Sequence, residues 1–232
     1  MPDTGRRVEL EGAVNFRDLG GLRTTDGLVV RHRRLYRSDS LHGLTPADLV
    51  RFHDELGVRT VVDLRTDGEV EEHGPPPGHF RDDVRMLRLP IFGAYRPEWA
   101  DPACWATEDL RAERYLEFVE SGTDQLARLV IELGSPAGTP AVVHCQVGRD
   151  RTGVAIGLVL ELLRVDRDLI GADYAVTGRY ITEFPLAPER MNKWLARVDA
   201  VYGSAEDLVR AHGVTDADVA ALRHALLRDA AP

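Results

Sequence analysis

A cysteine and an arginine separated by five residues, Cys145 and Arg151, are the side chains of this sequence best suited to chemistry. They stand between an apolar run that ends at Val143 and a longer apolar run over residues 154–163. This pattern favours a short buried strand, then a loop, then a buried helix. Such a loop directs backbone N–H groups and the positive end of the helix toward one point, which makes it an anion site.

The cysteine adds a nucleophile to this anion site. A thiol at a helix N-terminus beside arginines ionises to the thiolate more readily than a free thiol does. The intervening residues can surround a tetrahedral anion with amides, and Arg151 can then bind two of its oxygens bidentately. Because the transition state of phosphoryl transfer carries its charge on those oxygens, we expect transfer of a phosphoryl group to Cys145.

Other loop residues have predicted supporting roles. Gly148 lets the backbone approach the anion and adopt a positive φ. Thr152 can hydrogen-bond the thiolate as it leaves phosphocysteine. His144 either orients the backbone of the cysteine or is an ordinary buried histidine. The predicted phosphate-binding loop is completed by Gln146, Val147 and Arg149.

A phosphatase of this kind also needs a general acid that protonates the leaving oxygen. Asp150 lies inside the loop and is the first choice. Its neighbours Arg149 and Arg151 and the helix dipole favour the charged carboxylate, which counts against this role, whereas a dianionic substrate favours the protonated acid. The alternative acids are Asp63, Asp101 and Asp109.

The elements that must position these residues alternate between strands and helices. Short β-branched or alternating runs predict strands at residues 28–30, 33–37, 58–64, 84–90 and 141–143, with a tight turn at 25–27 and a hairpin formed by the first two strands. Capping residues and amphipathic spacing predict helices at 45–57, 108–120, 123–133, 154–163, 166–177, 189–201, 205–212 and 216–227. The order favours an α/β fold with a central, mostly parallel sheet flanked by helices.

One domain over residues 1–232 accounts for this pattern. Residues 91–107 lack periodicity and contain Trp99, Cys104 and Trp105, so we expect a lid or binding loop there, within an insertion of about residues 91–123. The C-terminal part, from about residue 189 to 230, is expected to be helical.

Composition limits the partners. The formal net charge of −9 argues against nucleic acid, so local arginines are expected to hold an anionic substrate. No apolar run is long enough to span a bilayer, and no secretory signal is found, so no stable membrane insertion is expected. With Cys104 and Cys145 as the two cysteines, a disulfide framework is not expected, and a cytoplasmic location is predicted.

The loop sequence resembles that of a known family. It is similar to the signature of the protein-tyrosine phosphatase superfamily, and specifically of its bacterial tyrosine phosphatase branch, in the residues His144-Cys145-x-x-Gly148-x-Asp150-Arg151-Thr152-Gly153. Members of this branch act on phosphotyrosine, in some cases on phosphoserine or phosphothreonine, and on phosphoinositides. The likeness covers nearly the whole chain, through further motifs at residues 15–21, 36–38, 62–65, 173–174 and 202–204.

The resemblance implies a cysteine-phosphatase fold and a phosphocysteine mechanism without a metal or other cofactor. Cys145 would be the nucleophile, Arg151 the phosphate binder and Asp150 an unusual acid within the loop. The implied substrate is first a phosphorylated protein of the phosphotyrosine type, with a phosphoinositide or a small phosphate ester as the alternative.

Several residues outside the loop are expected to support it. Arg17 and Asp18 belong to the N-terminal motif and Asp63 ends a neighbouring strand, although ion pairs without a catalytic role explain these residues as well. The family usually has a lysine where this chain has Arg149. Because arginine is not a neutral replacement for lysine, this difference bears on any preference for phosphoinositides.

Two other functions fit part of the pattern. A rhodanese-type sulfur carrier also places a cysteine loop between a strand and a helix, but Arg151 and the pair Thr152-Gly153 favour the phosphatase. A module that binds phosphate and has lost catalysis is the third possibility. The presence of a nucleophile, an arginine and an acid argues against it.

Overall fold

The computed structural model describes residues 5–76, 80–91, 101, 103, 106–181 and 186–230 of the chain. The described elements follow in chain order as β1 (Arg17–Asp18), β2 (Leu28–Val30), β3 (Leu35–Ser38), α1 (Pro46–Val50), β4 (Thr60–Asp63), α2 (Asp67–His73), β5 (Arg85–Arg88), α3 (Glu108–Gly134), β6 (Ala141–His144), α4 (Asp150–Leu162), α5 (Arg167–Val176), α6 (Glu189–Tyr202), α7 (Ala205–Arg210), α8 (Asp216–Leu226) and β7 (Leu227–Asp229). Within these ranges, no helix has both the length and the apolar character needed to cross a membrane.

A five-stranded sheet in the order β1-β3-β6-β4-β5 forms the centre of the fold. β3, β6, β4 and β5 are parallel, and the two-residue β1 pairs antiparallel with β3 at one edge. The predicted α/β class with a mostly parallel central sheet is therefore confirmed. Ser38, His144 and Asp63 are paired across β3, β6 and β4, so the last residues of these strands meet at one edge of the sheet.

Both faces of the sheet are covered, which explains why β6 is apolar at successive positions. Val142 contributes to a cluster with Phe16 and Phe52 on one face, whereas Val143 contributes to the larger core formed with α3, α4 and α6 on the other. A parallel strand that is buried on both faces lacks the polar alternation of an edge strand. β6, the strand that leads into the loop with Cys145, therefore lies at the centre of the core.

The predicted hairpin of residues 28–30 and 33–37 is wrong. The tight turn exists, with Gly27 at φ +88°, but it precedes β2 and brings Arg23 beside Val29. β2 pairs antiparallel with β7, and β3 pairs in parallel with β6. Local turn rules do not detect these pairings because both partners lie more than a hundred positions away in the sequence.

Helix α2 was not predicted. Its residues expose one side to solvent and none of them is fully buried, so the segment has no apolar periodicity. A capping box begins the helix instead: the hydroxyl of Thr66 accepts from the N–H of Glu69, and the carboxylate of Glu69 accepts from the N–H of Thr66 at 2.9 Å. The sequence Thr-x-x-Glu is the signal that would have identified it.

The helices predicted at 108–120 and 123–133 are confirmed as the two halves of α3, which meet at a kink where the backbone of Gly122 is not helical. A Cβ atom at Gly122 would lie 3.0 Å from the side chain of Ile91, so the irregularity occurs where the helix packs tightly. The C-terminal strand β7 was also missed. The helix predicted at 45–57 is α1 followed by a π-helical segment, Arg51–Glu55. The other predicted strands and helices are confirmed to within a few residues, whereas Trp99, Cys104 and Trp105 of the expected lid lie outside the described residues.

Candidate active site

The loop that carries the predicted chemistry, residues 145–149, joins β6 to α4. It begins where the carboxyl ends of β3, β6 and β4 meet. Gly148 has φ +73°, and a Cβ atom there would lie 2.4 Å from the carbonyl oxygen of Ser38. Glycine alone combines the positive φ with the small size that lets the loop lie against the end of β3.

Cys145 is a free, buried thiol with 2% of its surface exposed. The backbone N–H of Gly148 donates to its sulfur over 3.2 Å. A hydrogen bond to the charged form of a group stabilises that form, so this donor favours the thiolate. The hydroxyl of Thr152 is buried without a hydrogen-bond partner in the described part of the chain, so the predicted bond to the thiol is not formed in this structure.

Arg151 is held in place by Glu69 of α2. Its two terminal nitrogens each lie 2.5 Å from a carboxylate oxygen of Glu69. Burial would lower the pKa of Arg151, but the hydrogen bonds to Glu69 and the charge of Cys145 outweigh burial and raise it. The guanidinium therefore stays charged beside the thiol, oriented by an acid that comes from the neighbouring strand–helix unit.

The backbone of the loop is held from behind by two side chains. The carbonyl oxygen of Gly148 accepts from Asn15 Nδ2 at 3.2 Å and from Arg37 Nη2 at 3.0 Å. In a trans peptide the N–H points opposite to the carbonyl. Fixing this carbonyl outward therefore turns the next N–H, that of Arg149, toward the interior of the loop, where an anion would bind.

Asp173 of α5 anchors these supports in a group that we call the Asp173 cluster, consisting of Asp173, Arg6, Arg17 and Arg37. Asp173 Oδ1 lies 2.9 Å from Arg6 Nη1 and 3.2 Å from Arg17 Nε, and its Oδ2 lies 2.9 Å from Arg37 Nη1. Burial would raise the pKa of Asp173, but the three arginines lower it well below its usual range. The cluster is thus a buried set of charges that stays ionised at neutral pH.

Arg17 and Asp18 of the N-terminal motif have different environments. Arg17 is fully buried, and its Nη1 donates to Asn15 Oδ1 at 2.5 Å, so it supports the loop indirectly, through Asn15 and through Asp173. Asp18 lies away from the loop, 3.0 Å from His32 Nδ1, and accepts from the N–H of Arg33. The surface ion pair between Arg17 and Asp18 that the sequence allowed is not formed.

Asp63 and His144 end the adjacent strands β4 and β6. Asp63 is fully buried in an ion pair with Arg65 at 2.8 Å. Burial would raise the pKa of Asp63, but the hydrogen bonds from Arg65 lower it. Burial lowers the pKa of His144 to about 4, so its ring is neutral, and its Nδ1 lies 3.2 Å from the carbonyl oxygen of Cys145. That contact suits a residue that orients the cysteine backbone.

Asp150, the first residue of α4, is held by two donors. The hydroxyl of Tyr115 donates to its Oδ1 at 2.6 Å, and Arg149 Nε donates to its Oδ2 at 2.9 Å. Burial would lower the pKa of Arg149, but the charge of Asp150 raises it. The side chain of Arg149 is therefore directed to the carboxylate of Asp150 in this structure.

A chain of hydrogen bonds continues from Tyr115 to the start of α3. Tyr115 and Tyr174 place their hydroxyl oxygens 2.6 Å apart, Arg190 Nη1 donates to Tyr174 at 2.6 Å, and Arg190 Nε donates to Glu108 at 2.7 Å. Burial raises the pKa of Tyr174 to about 12, so both hydroxyls keep their protons. We call this series, from Asp150 to Glu108, the acid chain.

The alternative acids are placed differently. Asp63 is occupied by its buried ion pair with Arg65. Asp109 is solvent-exposed and lies 2.5 Å from Lys193 of α6, and Asp101 accepts from the N–H of Ala103 in an exposed turn. Of the predicted candidate acids, Asp150 is the one that directly follows the loop in the described structure.

Sequence reasoning missed Glu69, Tyr115 and Arg37 as parts of the site. Glu69 was detectable through its capping box. Tyr115 falls on the apolar spacing of α3 and looks like a core residue. Arg37 lies in a strand, where nothing local shows that its guanidinium reaches a loop more than a hundred residues later.

Comparison with known proteins agrees with this geometry. Residues 8–228 match the model of the "Tyrosine phosphatase family". The chain is 29% identical to "Triple specificity protein phosphatase PtpB" of Mycobacterium tuberculosis, over 94% of this chain and 98% of the relative. It is 28% identical to a protein of Cupriavidus necator that carries a tyrosine-protein phosphatase name, over 90% and 84%. The solved catalytic core of Siw14 is 15% identical and covers 88% of this chain and 94% of that one, with a TM-score of 0.49.

The family match extends from before β1 to β7 and therefore includes every strand of the sheet and the loop with Cys145 and Arg151. The chain belongs to the tyrosine phosphatase family and is a hydrolase of phosphate monoesters.

Proposed function

We propose that hydrolysis proceeds through a phosphocysteine intermediate on Cys145. The thiolate attacks phosphorus, the bond from phosphorus to the ester oxygen breaks, and that oxygen leaves with a proton. Water then attacks the phosphocysteine, gives up a proton, and releases inorganic phosphate and the thiolate. The observation that supports this best is the 3.2 Å hydrogen bond from the N–H of Gly148 to the sulfur, in the loop that leads into α4 and Arg151.

Asp150 is the proposed carrier of both protons. It donates one to the leaving oxygen in the first step and accepts one from water in the second, as microscopic reversal of its role allows. Tyr115 and Arg149 fix the orientation of its carboxylate. Arg151 binds the equatorial oxygens of the phosphoryl group, and Glu69 holds its guanidinium plane in place.

The proposed substrate is a phosphorylated protein, with phosphotyrosine as the preferred residue. Val147 is 39% exposed two positions after the nucleophile, so an apolar surface is available to the ring of a phosphotyrosine. The alternative substrate is a phosphoinositide or a small phosphate ester, and a relative named for triple specificity supports testing more than one substrate class. Thiols are kept reduced in the cytoplasm, which is therefore the proposed location for an enzyme with a free thiol.

Replacing the nucleophile tests the covalent mechanism. Cys145→Ser should abolish turnover of an aryl phosphate, whereas Cys104→Ser, which changes the other cysteine of the chain, should retain it. Rapid quench of the wild type with a labelled aryl phosphate should trap one phosphoryl group per chain, stable to the conditions that preserve a thiophosphate bond. Wild-type turnover by Cys145→Ser would refute the mechanism.

Leaving groups of different basicity test the acid. Asp150→Asn should slow hydrolysis of an alkyl phosphate much more than that of an aryl phosphate with a good leaving group, because only the poor leaving group needs the proton. Equal losses on both esters would remove Asp150 from this role.

A substrate panel tests specificity. Initial rates on phosphotyrosine, phosphoserine and phosphothreonine peptides, on phosphoinositides and on small phosphate esters should show the highest kcat/KM for phosphotyrosine peptides. A phosphoinositide hydrolysed faster than all peptides would favour the alternative.

A further inference from the structure

A cleft of about 600 Å³ lies at the edge of the sheet opposite the catalytic loop. Its walls include residues that precede the strands of the sheet: Arg34 precedes β3, Arg59 precedes β4 and Thr139 precedes β6. The catalytic loop follows the other end of β6, so the cleft is about 15 Å from Cys145 by the rise of a strand. It is not a part of the active site.

Two arginines of this cleft are left without an acidic partner. Among the described residues, neither Arg34 nor Arg59 forms an ion pair, and Arg34 Nε is buried without a hydrogen-bond partner. Arg81, the third arginine of the cleft, is paired with Asp54 at 2.7 Å. Other described arginines, such as Arg23 and Arg228, also lack an ion pair, but Arg34 and Arg59 line the same cleft.

The two arginines are close enough to share one ligand. Arg34 and Arg59 stand on either side of Pro140, because the strands they introduce both pair with β6 at Ala141. Neighbouring strands lie about 5 Å apart, so the two backbone positions are separated by about 10 Å, which arginine side chains can span. Burial and the positive charges of Arg31 and Arg59 lower the pKa of Arg34, as expected for a cation that lacks an anion.

Other groups of the cleft limit what kind of anion fits. Asp83 is an exposed carboxylate in the wall, and Thr139 contributes a hydroxyl. Burial and the charge of Arg81 lower the pKa of His53, so its ring is neutral at pH 7 and adds no positive charge to the cleft. A carboxylate is an acceptor for hydroxyl groups and repels a bare phosphate. The size of the cleft also exceeds that of inorganic phosphate and is typical of sites for small organic ligands.

We propose that this cleft binds a sugar phosphate, with Arg34 and Arg59 on the phosphate and Asp83 on the hydroxyls of the sugar. The site is separate from the catalytic loop and is independent of the mechanism proposed for Cys145. The phosphate receives two charge-assisted contacts, and the carboxylate distinguishes a phosphorylated sugar from inorganic phosphate.

Calorimetric titration with ribose 5-phosphate and with inorganic phosphate tests the proposal. The background is the full chain with Cys145→Ser and Arg151→Ala, which removes phosphate binding at the catalytic loop. Ribose 5-phosphate should bind with a stoichiometry of one and more tightly than inorganic phosphate. Adding Arg34→Ala and Arg59→Ala should weaken it at least tenfold, whereas the matched pair Arg23→Ala and Arg228→Ala, two exposed arginines outside the cleft, should leave it within twofold.

Asp83→Ala separates recognition of the sugar from general electrostatics. Because it removes a negative charge, it should strengthen binding of inorganic phosphate, yet it should weaken binding of ribose 5-phosphate by removing the acceptor for its hydroxyls. Tighter binding of both probes would overturn the assignment of Asp83. Absence of saturable binding, or an equal loss in the two arginine pairs, would overturn the site itself, with thermal unfolding of each variant showing that it is folded.

Discussion

Two networks hold the catalytic loop, and they differ in depth and in charge. The Asp173 cluster donates a hydrogen bond from Arg37 to the carbonyl oxygen of Gly148, and it consists of buried arginines around one carboxylate. The acid chain holds the side chain of Asp150 through the neutral hydroxyls of Tyr115 and Tyr174, and it ends in the ion pair of Arg190 with Glu108, whose side chain is 24% exposed. The first network fixes backbone and the second orients one ionisable side chain.

This difference indicates that the two networks have different functions. In the proposed mechanism the amides that bind the phosphoryl group must not move, and buried ion pairs with several partners are costly to break. The proposed acid, Asp150, changes its protonation state twice in each cycle, and it is held by the neutral hydroxyl of Tyr115 as well as by Arg149. Stability should therefore depend on the Asp173 cluster, and the proton-transfer steps on the acid chain.

The largest effect is expected from Asp173→Asn. The substitution leaves three buried arginines without their counter-charge, which should lower the free energy of unfolding by roughly 3–5 kcal/mol and abolish activity. Urea unfolding followed by circular dichroism measures the change in the free energy of unfolding. Asp168→Asn, an exposed acid on the same helix, is the matched control and should change the stability little; equal losses in both variants would contradict the cluster's role.

The pH dependence of stability should come from His144 rather than from the cluster. The pKa of His144 falls from its ordinary value of 6.5 to about 4. The unfolded chain therefore binds a proton as pH falls below 6.5 while the folded chain does not, so stability decreases between pH 6.5 and 4 by up to about 3 kcal/mol.

The carboxyl of Asp173 behaves differently, because its pKa is lowered from 3.8. Its contribution to stability is fully present above 3.8 and is lost only below that value. Unfolding at pH 7 and pH 5 should show a smaller decrease in His144→Gln than in the wild type. An unchanged decrease would assign the pH dependence to another group.

Tyr115→Phe should affect catalysis more than stability. Loss of the hydroxyl removes one donor to Asp150 and should lower the free energy of unfolding by about 1 kcal/mol. The rate on an alkyl phosphate should fall more than the rate on an aryl phosphate, because orientation of the acid matters most for a poor leaving group. Tyr202→Phe is the control, and an equal fall on both esters would separate Tyr115 from proton transfer.

The smallest effect is expected at the outer end of the acid chain. Glu108→Gln weakens the pairing with Arg190 at a partly exposed position, so stability should fall by about 0.5 kcal/mol. The rate on alkyl phosphates should fall only a few-fold, since Tyr174 and Tyr115 lie between Glu108 and the acid. A loss as large as that of Tyr115→Phe would show that the chain acts as one unit.

The sequence by itself determined the centre of this protein. Cys145, Gly148 and Arg151 could be identified because they belong to one short segment between a strand and a helix. The spacing of these residues along the sequence is enough to predict that they lie together. The mostly parallel sheet was also predictable, since the order of strands and helices limits the topologies that connect them.

Only the tertiary structure decided what surrounds that loop. Glu69 and Tyr115 reach it from helices far away in the sequence, and Asp173 supports it through Arg37. β2 and β3 pair with distant strands instead of with each other. A side chain's partner across the core depends on packing of whole elements, and packing leaves no spacing pattern in the sequence. The proposed nucleophile could therefore be identified from consecutive residues. The groups that hold it and the proposed acid in position could be identified only from the folded structure.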